Sequence, residues 1–199
     1  MLRKKVTHKR KQRGKLVMPI LIVAIMVFSG IAFAVFSRID TGDKETINGL
    51  KFVKNKDNKW SVNIQKIPFT FYYNPNELQG INISVDENIM YYEYMLTSDP
   101  NATNVTEETY AIERAKYELK EQMEQKMGIP VTLAYTEEYK DVPVINCKDS
   151  TANIAVIRFS YENSTQIEQM GNCIKVEAED ALDMIKARDL LFYKILGVV

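Results

Sequence analysis

Histidine is nearly absent from this chain, and its scarcity excludes much catalytic chemistry. The only one, His8, stands in the N-terminal tail, so the remainder has no imidazole to ligate zinc or to act as base in a Ser-His-Asp or Cys-His arrangement. The eight glycines are scattered singly and form neither a G-x-G-x-x-G fingerprint nor a Walker A loop. We therefore expect no metal, no cofactor and no catalytic residue that a motif would identify.

Cysteine is also scarce, because only Cys147 and Cys173 are present. Both fall at the ends of predicted strands. They belong to the part of the chain that the distribution of charge, described below, places outside the cell. Thiols oxidise in that environment, and strand ends can bring distant residues together. We predict a disulfide between Cys147 and Cys173; the alternative is two separate buried thiols.

Charged residues are missing from residues 16–36, a continuous and mostly apolar run. About 20 apolar residues, rising about 1.5 Å each, cross a hydrocarbon core of roughly 30 Å, so the run predicts one transmembrane helix. Two alternatives are a cleaved secretory signal, suggested by Ala32-Phe33-Ala34, and a pilin-like leader, suggested by Arg13-Gly14. We favour the anchor, because the apolar run continues past the first site and polar turn residues follow the span.

The charges are divided sharply between the two ends of the chain. Eight of the 26 basic residues precede the span without any acid, and the other 18 follow it together with all 26 acids. The net charge of +0 therefore combines +8 before the membrane with −8 after it. Basic flanks remain cytoplasmic, so we predict a plasma-membrane protein with its N-terminus inside and its C-terminal domain extracytoplasmic.

This orientation assigns partners to the N-terminal part. The basic tail, residues 1–15, is expected to attract anionic lipid headgroups. It is short and lacks an aromatic residue that would stack on bases, so we expect no nucleic acid partner. Gly30 and Ala34 form a small-xxx-small pair in the span, which is a weak signal for helix association. A homo-oligomer formed through the span is therefore one alternative.

Residues 37–48 are polar and predict a linker, after which residues 49–199 predict one domain. Apolar periodicity predicts helices over 106–127 and 179–196. It predicts strands over residues 50–53, 60–64, 67–73, 81–85, 89–96, 131–135, 142–147, 155–160 and 173–178. We expect an α+β or α/β sandwich, with two helices packed on a mixed β-sheet and a β-meander at the N-terminal side.

Four Asn-x-Ser/Thr sequons, a modest excess over chance, predict a glycoprotein from an archaeal or eukaryotic cell. They begin at Asn82, Asn101, Asn104 and Asn163. Three of them fall in predicted loops, and Asn82 falls in a predicted strand. The alternative is simply that these loops are rich in Asn and Thr.

Several short motifs resemble small single-span membrane proteins of archaeal genomes. These motifs are Asn48-Gly49 before a hairpin bearing Trp60, Cys147-Lys-Asp-Ser-Thr, Gly171-Asn-Cys173-Ile and Arg188-Asp189-Leu-Leu. The similarity covers about half of the chain. Because no activity is assigned to that group, the resemblance implies no site residues.

The sequence favours a non-enzymatic role: a binding or scaffolding protein of the cell envelope, or an accessory subunit of a membrane complex. Its partner would then be an envelope or membrane protein, and we expect a contiguous exposed apolar or aromatic patch. The alternative is an anchored hydrolase that uses paired carboxylates, which requires two acids converging in a pocket with one of them desolvated. The candidate acids are Asp141, Asp149, Glu162, Glu177, Asp180, Asp183 and Asp189.

Overall fold

Two β-sheets and two helices make up the computed structural model of the chain, which describes residues 43–86, 89–101 and 106–199. The predicted α+β class with two helices is confirmed. The basic tail and the predicted span lie outside the described residues. Within the described part, no helix is long and apolar enough to cross a membrane.

The first sheet is a four-stranded antiparallel meander. Its strands are β1 (Lys44–Ile47), β2 (Leu50–Lys54), β3 (Trp60–Ile64) and β4 (Ile67–Phe71). Alternation places Phe52, Val62 and Phe69 side by side on its buried face. The predicted meander is thus present, but β1 lies within residues 37–48, which the sequence predicts to be a linker.

The second sheet has six strands in the order β5-β9-β10-β8-β6-β7. The strands are β5 (Asn82–Ser84), β6 (Glu93–Ser98), β7 (Val131–Leu133), β8 (Ile154–Tyr161), β9 (Gln166–Met170) and β10 (Cys173–Ala178). Strands β7, β6, β8 and β10 pair in parallel, whereas β9 pairs antiparallel with β10. The sheet is therefore mixed, as predicted.

Helix α1 (Thr106–Gln122) continues as a π-helical turn, Met123–Met127, and helix α2 covers Ala181–Ile195. Gly128 ends the first helix in the left-handed conformation, at φ 69°, as its sequence position predicts. The Asp180 side chain accepts a hydrogen bond from the N–H of Asp183 at 2.8 Å and thereby caps the second helix.

Helix α2 packs against both sheets. It contacts β10 on one side, while Phe192 and Tyr193 contact the aromatic side chains of the meander on the other. The Tyr193 ring stacks on Phe71 with centroids 3.9 Å apart, and Phe192 meets Phe69 edge-on at 5.7 Å. Burial on both sides explains why even Arg188 and Asp189 of this helix are inaccessible to solvent.

Two strand predictions need correction, and one strand was not predicted. Residues 142–147 make only the isolated bridges Tyr135–Val144 and Tyr139–Val142, and Cys147 begins the short 3₁₀ helix Cys147–Asp149. The strand predicted from residue 89 begins only at Glu93. Strand β9 was missed, although a two-residue turn, Gly171-Asn172, joins it to β10.

Candidate functional site

An apolar groove lies where the C-terminal ends of both helices meet the β3–β4 hairpin and residues 89–92. Two cavities, of about 460 and 440 Å³, share Met90 and Ile129 and together form this groove. The larger one is also lined by Ile64, Ile67, Phe69, Met127 and Leu196, and the smaller one by Tyr91 and Tyr92. Each volume falls within the range of roughly 300–1,000 Å³ that is usual for ligand sites.

Sharp turns bring these elements together. Gln65 and Lys66, at φ 51° and 70°, close the β3–β4 hairpin, so that Ile64 and Ile67 pair across it. At the end of α1, Gly128 reverses the chain, and the N–H of Ile129 reaches the carbonyl of Met123 at 3.2 Å. Local backbone geometry therefore sets two walls of the groove.

A buried tyrosine fixes the third wall. Tyr94 is inaccessible, and its hydroxyl donates a hydrogen bond to the carbonyl of Ile89. The Tyr91 hydroxyl contacts Oδ1 of Asn172 at 3.1 Å. Between these anchors Met90 and Tyr92 are 55% and 81% exposed, so a well-anchored segment presents two large apolar side chains to solvent.

Two lysines add positive charge to the groove. Lys126 and Lys194 both line the larger cavity, and each lies in the last turn of its helix. Neither forms an ion pair with another residue that the structure describes. An acidic group on a bound molecule would therefore find cations that no described carboxylate already occupies.

The predicted disulfide is confirmed. Cys147 is bonded to Cys173, the first residue of β10, with the two Cα atoms 5.2 Å apart. The bond connects the 3₁₀ helix to the sheet. Thr97 of β6 also holds this loop, since its hydroxyl donates to the carbonyl of Ile145 at 2.8 Å.

Three of the four predicted glycosylation sites lie among the described residues. Asn82 in β5, Asn101 and Asn163 are all exposed, whereas Asn104 lies outside the described residues. Exposure is a requirement of glycan attachment, which remains a prediction at all four positions.

The candidate acids occupy separate positions, and none of them lines the apolar groove. Asp149 caps the 3₁₀ helix, Asp180 caps α2, and Asp183 pairs with Lys186 at 2.8 Å. The remaining exposed or half-exposed acids are Asp141, Glu162 and Glu177. Only Asp189 is buried, with no accessible surface.

Asp189 belongs to a buried ionic network that sequence reasoning did not find. Its Oδ2 accepts hydrogen bonds from the N–H groups of Tyr72 and Tyr73 at 2.7 and 3.0 Å. Arg188 places Nη1 3.0 Å from Oδ1 of Asp189 and donates from Nη2 to Oε2 of Glu118 at 2.7 Å. The network ties α2 to α1 and to the end of β4.

The two carboxylates of this network titrate differently. Burial raises the pKa of Asp189 to about 6, against the opposing effects of Arg188 and the two backbone donors. Burial also acts to raise the pKa of Glu118, but Arg188, the Tyr72 hydroxyl and Arg114 together lower it. Carboxyl groups with separated pKa values suit acid–base catalysis. However, Asp189 has no accessible surface and its Oδ2 is occupied by backbone, so this geometry serves packing better than turnover.

Lys116 is a second buried charge that the sequence did not reveal. Its ammonium contacts Oγ of Ser98 at 2.9 Å, Oε1 of Glu113 at 3.0 Å and the carbonyl of Ala134 at 3.0 Å. Burial lowers the pKa of Lys116, opposed by Glu113. Because three acceptors match its three N–H bonds, Lys116 joins α1 to the ends of β6 and β7 as a satisfied cation.

No known protein family, curated protein or solved structure matches this chain. Its function is therefore inferred from the geometry of the groove and of the charged groups.

Proposed function

We propose that this chain is a single-pass membrane protein whose extracytoplasmic domain binds a protein partner of the cell envelope and catalyses no reaction. The observation that carries the proposal is the apolar groove, with Met90 and Tyr92 exposed on a segment that Tyr94 anchors. Keeping such side chains in water is unfavourable by roughly 25 cal/mol per Å² of apolar surface. A partner that covers them recovers this free energy.

The groove favours an apolar peptide segment that carries one acidic residue. Its lining is aliphatic and aromatic, which matches side chains such as Leu and Phe, and Lys126 and Lys194 match a carboxylate. A hydrolase acting through Glu118 and Asp189 is the second candidate, favoured only by their separated pKa values.

The proposal is tested with the full chain in lipid nanodiscs, its methionine methyl groups labelled with ¹³C. A soluble peptide with Leu, Phe and Glu side chains is the probe. We expect saturable shifts of the Met90 and Met127 methyl resonances, which line the groove, and no shift of Met170, which is 51% exposed in β9. Unchanged Met90 and Met127 resonances, or equal shifts of all three, would overturn the proposal.

A further inference from the structure

A separate cavity, the polar cavity, is lined by Pro68 and Thr70, which alternate along β4 with the groove residues Ile67 and Phe69 and so lie on the other face of the strand. It has a volume of about 470 Å³ and is lined by Thr70 of β4, by Tyr72 just after this strand, and by Glu118 and Gln122 of α1. Gln122 donates from Nε2 to the carbonyl of Thr70 at 2.7 Å and so fastens the edge strand to the helix. The side chains that line the cavity are mainly hydrogen-bonding groups.

Cations in the polar cavity outnumber acids. Lys59, Lys126 and Arg188 line it, against Glu118 and Glu121. The ring of Tyr72 contacts two of the three cations, since the Lys59 ammonium lies 4.2 Å and the Arg188 guanidinium 5.4 Å from its centroid. Arg188 is paired there with Glu118, which leaves Lys59 as the cation beside Tyr72 that has no ion pair with a described residue.

Glu118 is already paired, and Glu121 accepts a hydrogen bond from Nε2 of Gln125 at 3.3 Å, whereas Lys59 and Lys126 have no ion pair with a described residue. Glu118 accepts hydrogen bonds from Arg114, Arg188 and the Tyr72 hydroxyl. Lys59 and Lys126 are therefore the cations of this cavity that no described carboxylate neutralises.

The volume of the polar cavity and its uncharged side chains indicate which class of ligand it fits. One water occupies about 30 Å³, so a bare inorganic anion would fill little of this cavity. The Thr70 hydroxyl and the amides of Gln122 and Gln125 supply both donors and acceptors, which is what the hydroxyl groups of a sugar require. We propose that the polar cavity binds an acidic sugar, whose carboxylate pairs with Lys59 and whose hydroxyls bond to Thr70, Gln122 and Gln125.

The polar cavity and the apolar groove share one lining residue, and Lys59 distinguishes them. Lys126 lines both cavities, but Lys59 lines only the polar cavity and Met90 only the groove. A substitution of Lys59 therefore tests the sugar site without changing the groove.

The test uses the full chain in nanodiscs and a ligand-observed NMR titration at low salt. The probes are D-glucuronate, its neutral counterpart D-glucose, and inorganic phosphate. Lys59→Gln is compared with Lys56→Gln, which removes the same charge from the same β2–β3 loop, where Lys56 is exposed and does not line the polar cavity.

We expect glucuronate to bind, glucose to bind at least about tenfold more weakly, and Lys59→Gln to weaken glucuronate binding by about tenfold. Lys56→Gln should leave the affinity within about twofold of the unsubstituted chain. Equal affinity for glucuronate and glucose, tighter binding of phosphate than of glucuronate, or equal effects of the two lysine variants would overturn the assignment.

Discussion

Arg188 of α2 and Glu118 of α1 lie 70 residues apart in sequence and are joined by a hydrogen bond of 2.7 Å. Removing one member of a buried ion pair leaves the other charge without compensation. We predict that Arg188→Met lowers the free energy of unfolding by roughly 3–5 kcal/mol, measured by urea denaturation of the full chain in micelles. The matched control is Arg114→Met, because Arg114 pairs with the same Glu118 but is 38% exposed; its cost should stay below about 1 kcal/mol. Similar costs for both variants would contradict the role assigned to Arg188.

Asp189 should make stability depend on pH in an unusual direction. Its pKa is about 6 in the folded chain, against an ordinary value of 3.8, so the folded state binds a proton over this interval and the unfolded state does not. The contribution of Asp189 to the free energy of unfolding therefore rises as pH falls from about 7 to 4, by on the order of 3 kcal/mol.

Asp189→Asn removes this contribution, and the difference in unfolding free energy between the two chains, measured from pH 4 to 7, should show it. Glu118, whose pKa lies below its ordinary value of 4.5, contributes to the free energy of unfolding with the opposite sign, and it does so at lower pH. A difference that stays constant across the interval, or that has the reverse slope, would show that the pKa of Asp189 is not raised.

The disulfide closes a loop between residues 26 positions apart. In the chain-entropy description, such a bond stabilises the folded state by roughly 3–4 kcal/mol. We predict that reduction lowers the urea midpoint of the full chain, and that the doubly substituted Cys147→Ser, Cys173→Ser variant has this lower midpoint with or without reductant. An oxidised and a reduced chain with the same midpoint would contradict the prediction.

Local sequence pattern predicts most of the strands, but not β9, although a turn of two residues joins β9 to β10. The alternating residues Trp60–Ile64 and the charged turn before them predict the hairpin of the meander, and apolar and polar residues alternate in β10 from Ile174 to Ala178. The continuous apolar character of residues 89–96 predicts one strand over the whole stretch. The ladder begins only at Glu93, because hydrogen bonds to distant loops, such as that of Tyr91 to Asn172, hold the preceding residues.

The candidate sites could not be predicted in the same way, because they depend on contacts between distant segments. Charged residues on a helix predict exposure, and nothing near Arg188 in the sequence indicates that the meander will cover it. The apolar groove likewise combines four separate stretches. The expectation of an exposed apolar patch was general, and only the fold selects Met90 and Tyr92 from the many apolar residues of the domain.

The proposed placement predicts the covalent state of the chain in its native membrane. We expect an intact mass equal to the full-length chain less two hydrogens, plus glycan at one or more of Asn82, Asn101, Asn104 and Asn163. Mass spectrometry before and after deglycosylation and reduction checks each part. A mass that corresponds to cleavage near Ala34, or an unglycosylated chain with free thiols, would contradict the placement.

The apolar groove is tested most directly by the affinity of the same Leu-, Phe- and Glu-containing peptide for two methionine variants in nanodiscs. Met90 and Met170 are 55% and 51% exposed, so Met90→Gln and Met170→Gln make the same chemical change at similarly accessible positions. Calorimetry should show that Met90→Gln weakens binding about tenfold, because apolar contact area is lost, while Met170→Gln leaves the affinity unchanged. Equal affinities of the two variants would show that the groove is not the binding site.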